Sequence, residues 1–194
     1  MSKADLTKQF IIEKTAHIFN TKGYAGTSLS DITDATGLTK GSIYGNFKNK
    51  DEVALAALQH NLNKIMQLFA LEVSKKDKFR DKLNAYPDVY EKYLLKSFPV
   101  GGCPILNTAI ESDDTHPKLK EMANNALIAW KENLVNLIEK GIEKNEFKKD
   151  INPEQTALTM LATIEGAVMI IKLTGKINYL NSILNSLRVT INEL

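Results

Sequence analysis

The 194-residue chain is 43% hydrophobic and 25% charged, with ten glycines, five prolines and no low-complexity run, which suits a soluble globular core and excludes disordered and fibrous classes. A single cysteine, Cys103, rules out an intrachain disulfide framework and a Cys-rich zinc site. The histidines, His17, His60 and His116, lack any metal-ligand spacing, so neither a metal nor another cofactor is expected.

The net charge of +2 is nearly balanced, but its distribution is uneven. Residues 1–50 hold seven lysines against four carboxylates, so the positive excess sits in the N-terminal quarter. The opening "MSKADLTKQFIIEK" has no apolar signal-peptide core, and the most apolar later stretch, residues 157–173, is interrupted by Glu165 and threonines. A cytoplasmic protein with no membrane partner is expected.

In chain order, residues 5–22 place Ile12, Ala16 and Phe19 on one helical stripe with Ile11, Thr15 and Ile18 beside it, and Gly23 suits the C-cap. Ser28 with Asp31 three residues on has the pattern of a capping box for a short helix carrying Ile32 and Ala35, stopped at Gly37. Thr39 then caps a third helix, Lys40 to about Phe47, anchored by Ile43 and Phe47. Asn49 with Glu52 opens a long helix through Phe69. Further on, Pro87 is expected to kink or divide a helix near Tyr86, and "PVGGCP" reads as a loop. A short helix from Ile105 to about Ser112, a long one from Pro117, an apolar one opened by Asn152, Pro153 and Gln155, and a last one with the stripe Leu180, Ile183, Leu184, Leu187 and Ile191 follow. The total is about nine helices and no strand, an all-α fold.

Two short helices joined by a glycine turn match helix-turn-helix geometry, in which the second helix enters the major groove with its N-terminal residues at the bases. Residues 28–47 fit it. The stretch "TKGSIYGNFKNKDEV" then explains why Gly41 and Gly45 stand in a helix despite a cost of about 1 kcal/mol each: one lets the backbone approach DNA and the other removes bulk from the same face.

The stretch "GYAGTSLSDITDATGLTKGSIYGNFKNKDEV" closely resembles the TetR family of transcriptional regulators: Gly-aromatic, Thr-Ser, Ile32, Ala35, Gly-Leu, Thr-Lys-Gly-Ser-Ile-Tyr, Phe47 and Lys50 follow the family's order. The resemblance is close over about residues 8–55 and elsewhere lies in helix order and in phrases such as "GGCPILNTAIES". The chain departs from many members at Thr33, where alanine is common, and at Gly45, where they carry a bulky aromatic or histidine. The resemblance implies a three-helix DNA-binding domain, residues 1–50, and a helical ligand-binding and dimerisation domain, residues 51–194. It further implies a homodimer paired through its last two helices, a double-stranded operator, and a small-molecule inducer that releases it. Carried over residue by residue, Lys40, Gly41, Ser42 and Asn46 would face base edges or nearby phosphates, while Thr27, Ser28, Ser30, Thr39, Tyr44, Lys48 and Lys50 would hold the DNA backbone.

For the inducer, candidate lining residues are Phe69, Tyr90, Phe98, Cys103, Met122, Trp130, Met160, Glu165 and Met169, all equally at home in an ordinary core. Glu165 lies on the stripe of Leu158, Leu161, Ala162 and Met169, where a charge is costly unless paired; it reads as a partner for a cationic ligand or as a hydrogen-bonded carboxylate at the dimer seam. Cys103, in a Gly-Gly-Cys-Pro turn ahead of a helix, reads either as a small buried residue or as an electrophile and redox sensor, the alternative mode of regulation. An enzyme built on Cys103, His116 and Asp113 has no visible base-orienter pair, so no catalysis is expected. A head that binds protein rather than DNA is the remaining competitor.

Overall fold

The computed structural model describes residues 2–112 and 116–194; Asp113, named in the enzyme reading, lies outside them. Among the described residues there are nine α-helices and no strand: α1 Lys3–Gly26, α2 Leu29–Thr36, α3 Lys40–Asn46, α4 Lys50–Ser74, α5 Phe79–Tyr93, α6 Pro104–Ser112, α7 Pro117–Glu143, α8 Pro153–Thr174 and α9 Ile177–Glu193. They form two compact units, one of Met1–Lys64 with Pro99–Asn125 and one of Ile65–Phe98 with Ala126–Leu194.

In the first unit, α1, α2 and α3 meet one another around Ile11, Ile32, Ile43, Phe47 and Val53, with Ile12, Phe19, Leu38, Tyr44 and Ala56 packed on the margin. The helix ends are fixed by short-range polar groups. Ser28 and Asp31 form the complete reciprocal capping box at α2, Thr39 Oγ1 accepts from Ser42 N at 3.2 Å at α3, and Asn49 Oδ1 accepts from Glu52 N at 3.0 Å at α4. Gly37 takes a left-handed conformation (φ 67°), which lets the chain leave α2 and start α3 two residues later. Gly23 breaks the helical dihedrals within α1 (φ 73°), where the sequence reading ends the first helix.

The "PVGGCP" loop docks on α1 through Asn20, whose side-chain amide donates to Val100 O (2.8 Å) and Gly102 O (3.0 Å). His116, just ahead of α7, caps that helix: its Nδ1 accepts from Leu119 N at 3.2 Å, a role not legible from sequence.

In the second unit, α9 packs on both α5 and α8. Pro87 does not divide α5; the helix continues through it with Pro87 itself buried, because burial of Leu83, Ala85, Tyr86, Val89 and Tyr90 around it outweighs the one backbone bond that proline cannot donate. Helix α8 is long and apolar enough to cross a membrane by length and composition alone. Ala157, Met160, Leu161, Ile164, Ala167, Val168 and Ile171 bury one side of it, and α9 packs against it, the arrangement of a core helix.

Candidate nucleic-acid interface and effector unit

The eleven residues assigned to DNA divide into two groups. Ser28, Ser30, Thr39, Lys40, Gly41 and Lys48 are exposed, with the Lys48 side chain 87% exposed, and Ser42, Tyr44 and Asn46 are half-buried. No acidic residue lies in the first turn of α3, so its N-terminal end and Lys40 present a positive face. Several of these side chains also serve the fold. Ser28 and Thr39 are caps, Asn46 Nδ2 donates to Ser42 O at 2.9 Å, and Tyr44 packs its ring on the head core.

Thr27 and Lys50 are placed differently from the other nine. Thr27 is fully buried, its hydroxyl donating to Gly23 O at 2.6 Å. Lys50 Nζ donates to Tyr24 O (2.8 Å) and Thr27 O (2.9 Å) and sits 4.1 Å from the centre of the Tyr24 ring. The ammonium thereby caps the carbonyls at the end of α1, a partnership 26 and 23 residues apart that no local pattern announces.

Around the same corner a polar cluster joins distant segments of the first unit. The Tyr24 hydroxyl donates to the Asp51 carboxylate, which holds the phenol up at about 12 and Asp51 below the usual carboxylate range. His116 lies edge-on to Tyr24 at 4.6 Å, its Nε2 3.8 Å from Asp51 Oδ1. Glu111 of α6 accepts from the backbone amides of Tyr24 and Ala25, both at 2.8 Å, so one carboxylate satisfies two donors at the bend after Gly23. Lys22 of α1 pairs with Asp31 in the first turn of α2 at 2.5 Å, and with Ser28 this lowers the Asp31 carboxyl to about 2.

The candidate inducer residues do not fall together. Cys103 and Met122 belong to the first unit, and the other seven to the second. Cys103 is 1% exposed, which shields the thiol and fits a small buried residue rather than a sensor. Met169 is 45% exposed on α8 and so faces away from the unit's interior, against its assignment to a cavity lining. Met160 is buried beside a groove of about 160 Å³ that also involves Leu187, Ile191 and Leu194. Phe69, Tyr90, Phe98 and Trp130 converge, with Tyr86 among them, and the Tyr90 hydroxyl donates to Glu165 Oε1 at 3.4 Å. Of the apolar residues on the last two helices, Leu161, Leu184 and Leu187 are buried inside the unit, while Leu158 stays half exposed. Among the described residues no group of three His, Cys, Asp or Glu is placed to hold a metal ion.

Residues 11–57 match the profile described as "Bacterial regulatory proteins, tetR family", and residues 80–187 match "Tetracyclin repressor-like, C-terminal domain". A TetR-family transcriptional regulator from Cytophaga hutchinsonii of known structure is 46% identical, with 98% of this chain and 96% of that one covered and a TM-score of 0.95. A TetR transcriptional regulator from Chloroflexus aurantiacus J-10-FL is 38% identical over 100% of this chain and 98% of its own, also with a TM-score of 0.95. An uncharacterized HTH-type transcriptional regulator from the lacX 3' region of Lactococcus lactis subsp. lactis is 27% identical, covering 97% of this chain and 94% of its own length. These likenesses span both compact units, and with them the helix-turn-helix and its capped recognition helix acquire their meaning: the chain is a DNA-binding transcriptional regulator, not an enzyme, and belongs to the TetR family.

Proposed function

We propose that this regulator is a cytoplasmic homodimeric repressor that binds a double-stranded operator through α3 and is released by a small-molecule inducer held in the helical domain beyond residue 50. The observation that carries the DNA reading is the pair of glycines in α3. Neither Gly41 nor Gly45 has a positive φ. A Cβ at Gly45 would meet nothing within 4 Å, and one at Gly41 only Thr39 Oγ1 at 3.9 Å. The chain's own packing and backbone therefore give no reason for two residues that each cost a helix about 1 kcal/mol. A surface that must come close to α3 does.

On this reading Lys40, Ser42 and the backbone at Gly41 approach base edges, with Asn46 a turn further on, and Ser28, Ser30, Thr39, Tyr44 and Lys48 hold phosphates. Thr27 and Lys50 act from behind, fixing the bend that presents Ser28. Pairing through α8 and α9 is supported by the apolar side chains these helices leave outside, Leu158, Met169 and Leu173 on one and Val189 on the other. A dimer reads half-sites about 34–36 Å apart, and an effector that favours another separation of the heads lowers affinity by linkage.

The test is a fluorescence-anisotropy titration of the purified protein against the DNA immediately upstream of its own gene and against a scrambled duplex, at several salt concentrations. Preferential, salt-sensitive binding of two chains per site is expected. Equal, weak binding to both duplexes, followed by failure to enrich any sequence from random DNA, would overturn the reading.

A further inference from the structure

Between the first two turns of α8 and the last two of α9 runs a groove of about 160 Å³. Met160, Leu187 and Ile191, all buried, make its floor, and Thr156, Thr159 and Thr190 stand along it, the last two exposed to solvent. An apolar cavity of about 150 Å³ holds a benzene-sized molecule, whereas drug-sized ligands take about 300 Å³ or more, so the groove matches a single ring.

The hydroxyls decide what that ring carries. Each threonine donates its proton to the carbonyl one turn back: Thr156 to Asn152 O at 2.9 Å, Thr159 to Gln155 O at 2.8 Å and Thr190 to Ser186 O at 3.2 Å. A hydroxyl whose proton is spent keeps its lone pairs, so it accepts and does not donate. The three therefore set acceptors along an apolar floor. The Gln155 carboxamide, which also lines the groove, is the side chain there able to donate as well.

A second copy is the competing occupant, because α8 and α9 carry the pairing reading. The exposed apolar side chains behind that reading lie elsewhere: Met169 and Leu173 toward the other end of α8, and Leu158 and Val189 outside the lining of the groove. An apolar floor with a few polar groups along it, set apart from the apolar patch, has the chemistry of a small-molecule site.

We propose that this groove binds a one-ring molecule that is apolar except for a single hydroxyl, a phenol or a cyclic alcohol. Its ring lies on Met160, Leu187 and Ile191, and its O–H donates to a threonine hydroxyl. The site stands on the groove itself, while a role for its occupant as effector rests on the ligand-responsive reading above.

The probes are 4-methylphenol, 1,4-dimethylbenzene, which has nearly the same shape without the hydroxyl, and 4-methylanisole, which keeps the oxygen without the proton. By calorimetry on the full-length protein the phenol is expected to bind at least about tenfold more tightly than either analogue, because acceptors gain a bond only from a donor. Methyl-¹³C-methionine labelling places the site. Met160 is the methionine that lines the groove, and its methyl resonance, identified with Met160→Leu, is expected to move with the phenol. Thr156→Val, Thr159→Val and Thr190→Val combined are expected to bring the phenol down to the affinity of the hydrocarbon. The wild-type comparison stands even if that variant does not fold. Equal affinity for the phenol and either analogue, an unmoved Met160 methyl, or no binding of the phenol overturns the proposal. So does phenol affinity that falls in step with self-association as protein concentration is raised, since the groove is then taken by a second copy. The anisotropy assay separates the two readings: DNA preference without phenol binding sinks the site alone, and phenol binding without any DNA preference sinks the regulator reading and leaves the site.

Discussion

The head and the second unit put their polar side chains to different uses. In the head, polar side chains close the chain's own backbone: Ser28 and Thr39 cap helices, Thr36 Oγ1 donates to Ile32 O at 2.8 Å, and Lys50 holds the carbonyls at the end of α1. What they leave exposed is a small surface with two glycines in its middle. In the second unit one buried carboxylate gathers other side chains around it. Glu72, buried, accepts from the Tyr93 hydroxyl at 2.5 Å and from Lys75 and Lys92 at 2.6 Å and 3.1 Å. A rigid reading surface needs backbone held from behind, whereas the Glu72 carboxylate ties α4 to α5 through Lys92 and Tyr93.

The sharpest way to test that contrast in the second unit is Glu72→Gln, expected to lower stability at neutral pH by about 2–3 kcal/mol, since two lysines and a tyrosine lose a buried charge. The Lys75 and Tyr93 hydrogen bonds depress the Glu72 carboxyl to about 2 from an ordinary value of 4.5. The folded form thus binds the proton more weakly than the unfolded form. The stabilisation is complete above about pH 4.5 and disappears as pH falls from there toward 2. Thermal melts across that range should bring wild type and variant together at the acid end; a constant gap would show that Glu72 acts through packing rather than charge.

In the head, the two neighbouring lysines should behave unalike. Lys50→Ala is expected to cost about 1–2 kcal/mol of stability, because two carbonyls lose a charged donor. Urea denaturation would read that loss. Lys48→Ala should leave stability within about 0.5 kcal/mol and instead reduce the salt dependence of DNA binding by about one counterion. A reversal of these effects would break the division of labour between them. Between these in size is Gly45→Ala, expected to stabilise the protein by about 1 kcal/mol while weakening operator binding. Stabilisation with unchanged affinity would remove the argument that the glycines serve a DNA surface.

Much of the head was legible because its determinants are short-range. The Ser28 to Asp31 box, the Gly37 turn, the Thr39 cap and the Ile43 and Phe47 anchors are each written within a few residues, and each recurs in the structure. Pro87 misled because its local cost is real but is outweighed by the burial around it, which no local window contains. The exposure of Met169 and the burial of Leu161 were not legible for the same reason: a helix of mostly apolar residues such as α8 does not announce which side faces its own chain.

The sequence alone thus determined the helix count, the helix-turn-helix and the family, since capping, turn chemistry and hydrophobic period act over one or two turns of chain. Only the tertiary structure decided that Lys50 and Thr27 support the head from within, that Glu111 reaches the amide of Tyr24 from 87 residues away, and that Phe69, Tyr90, Phe98 and Trp130 pack together. Those facts depend on which distant side chains arrive at one place, and that is set by packing of whole helices rather than by any local pattern.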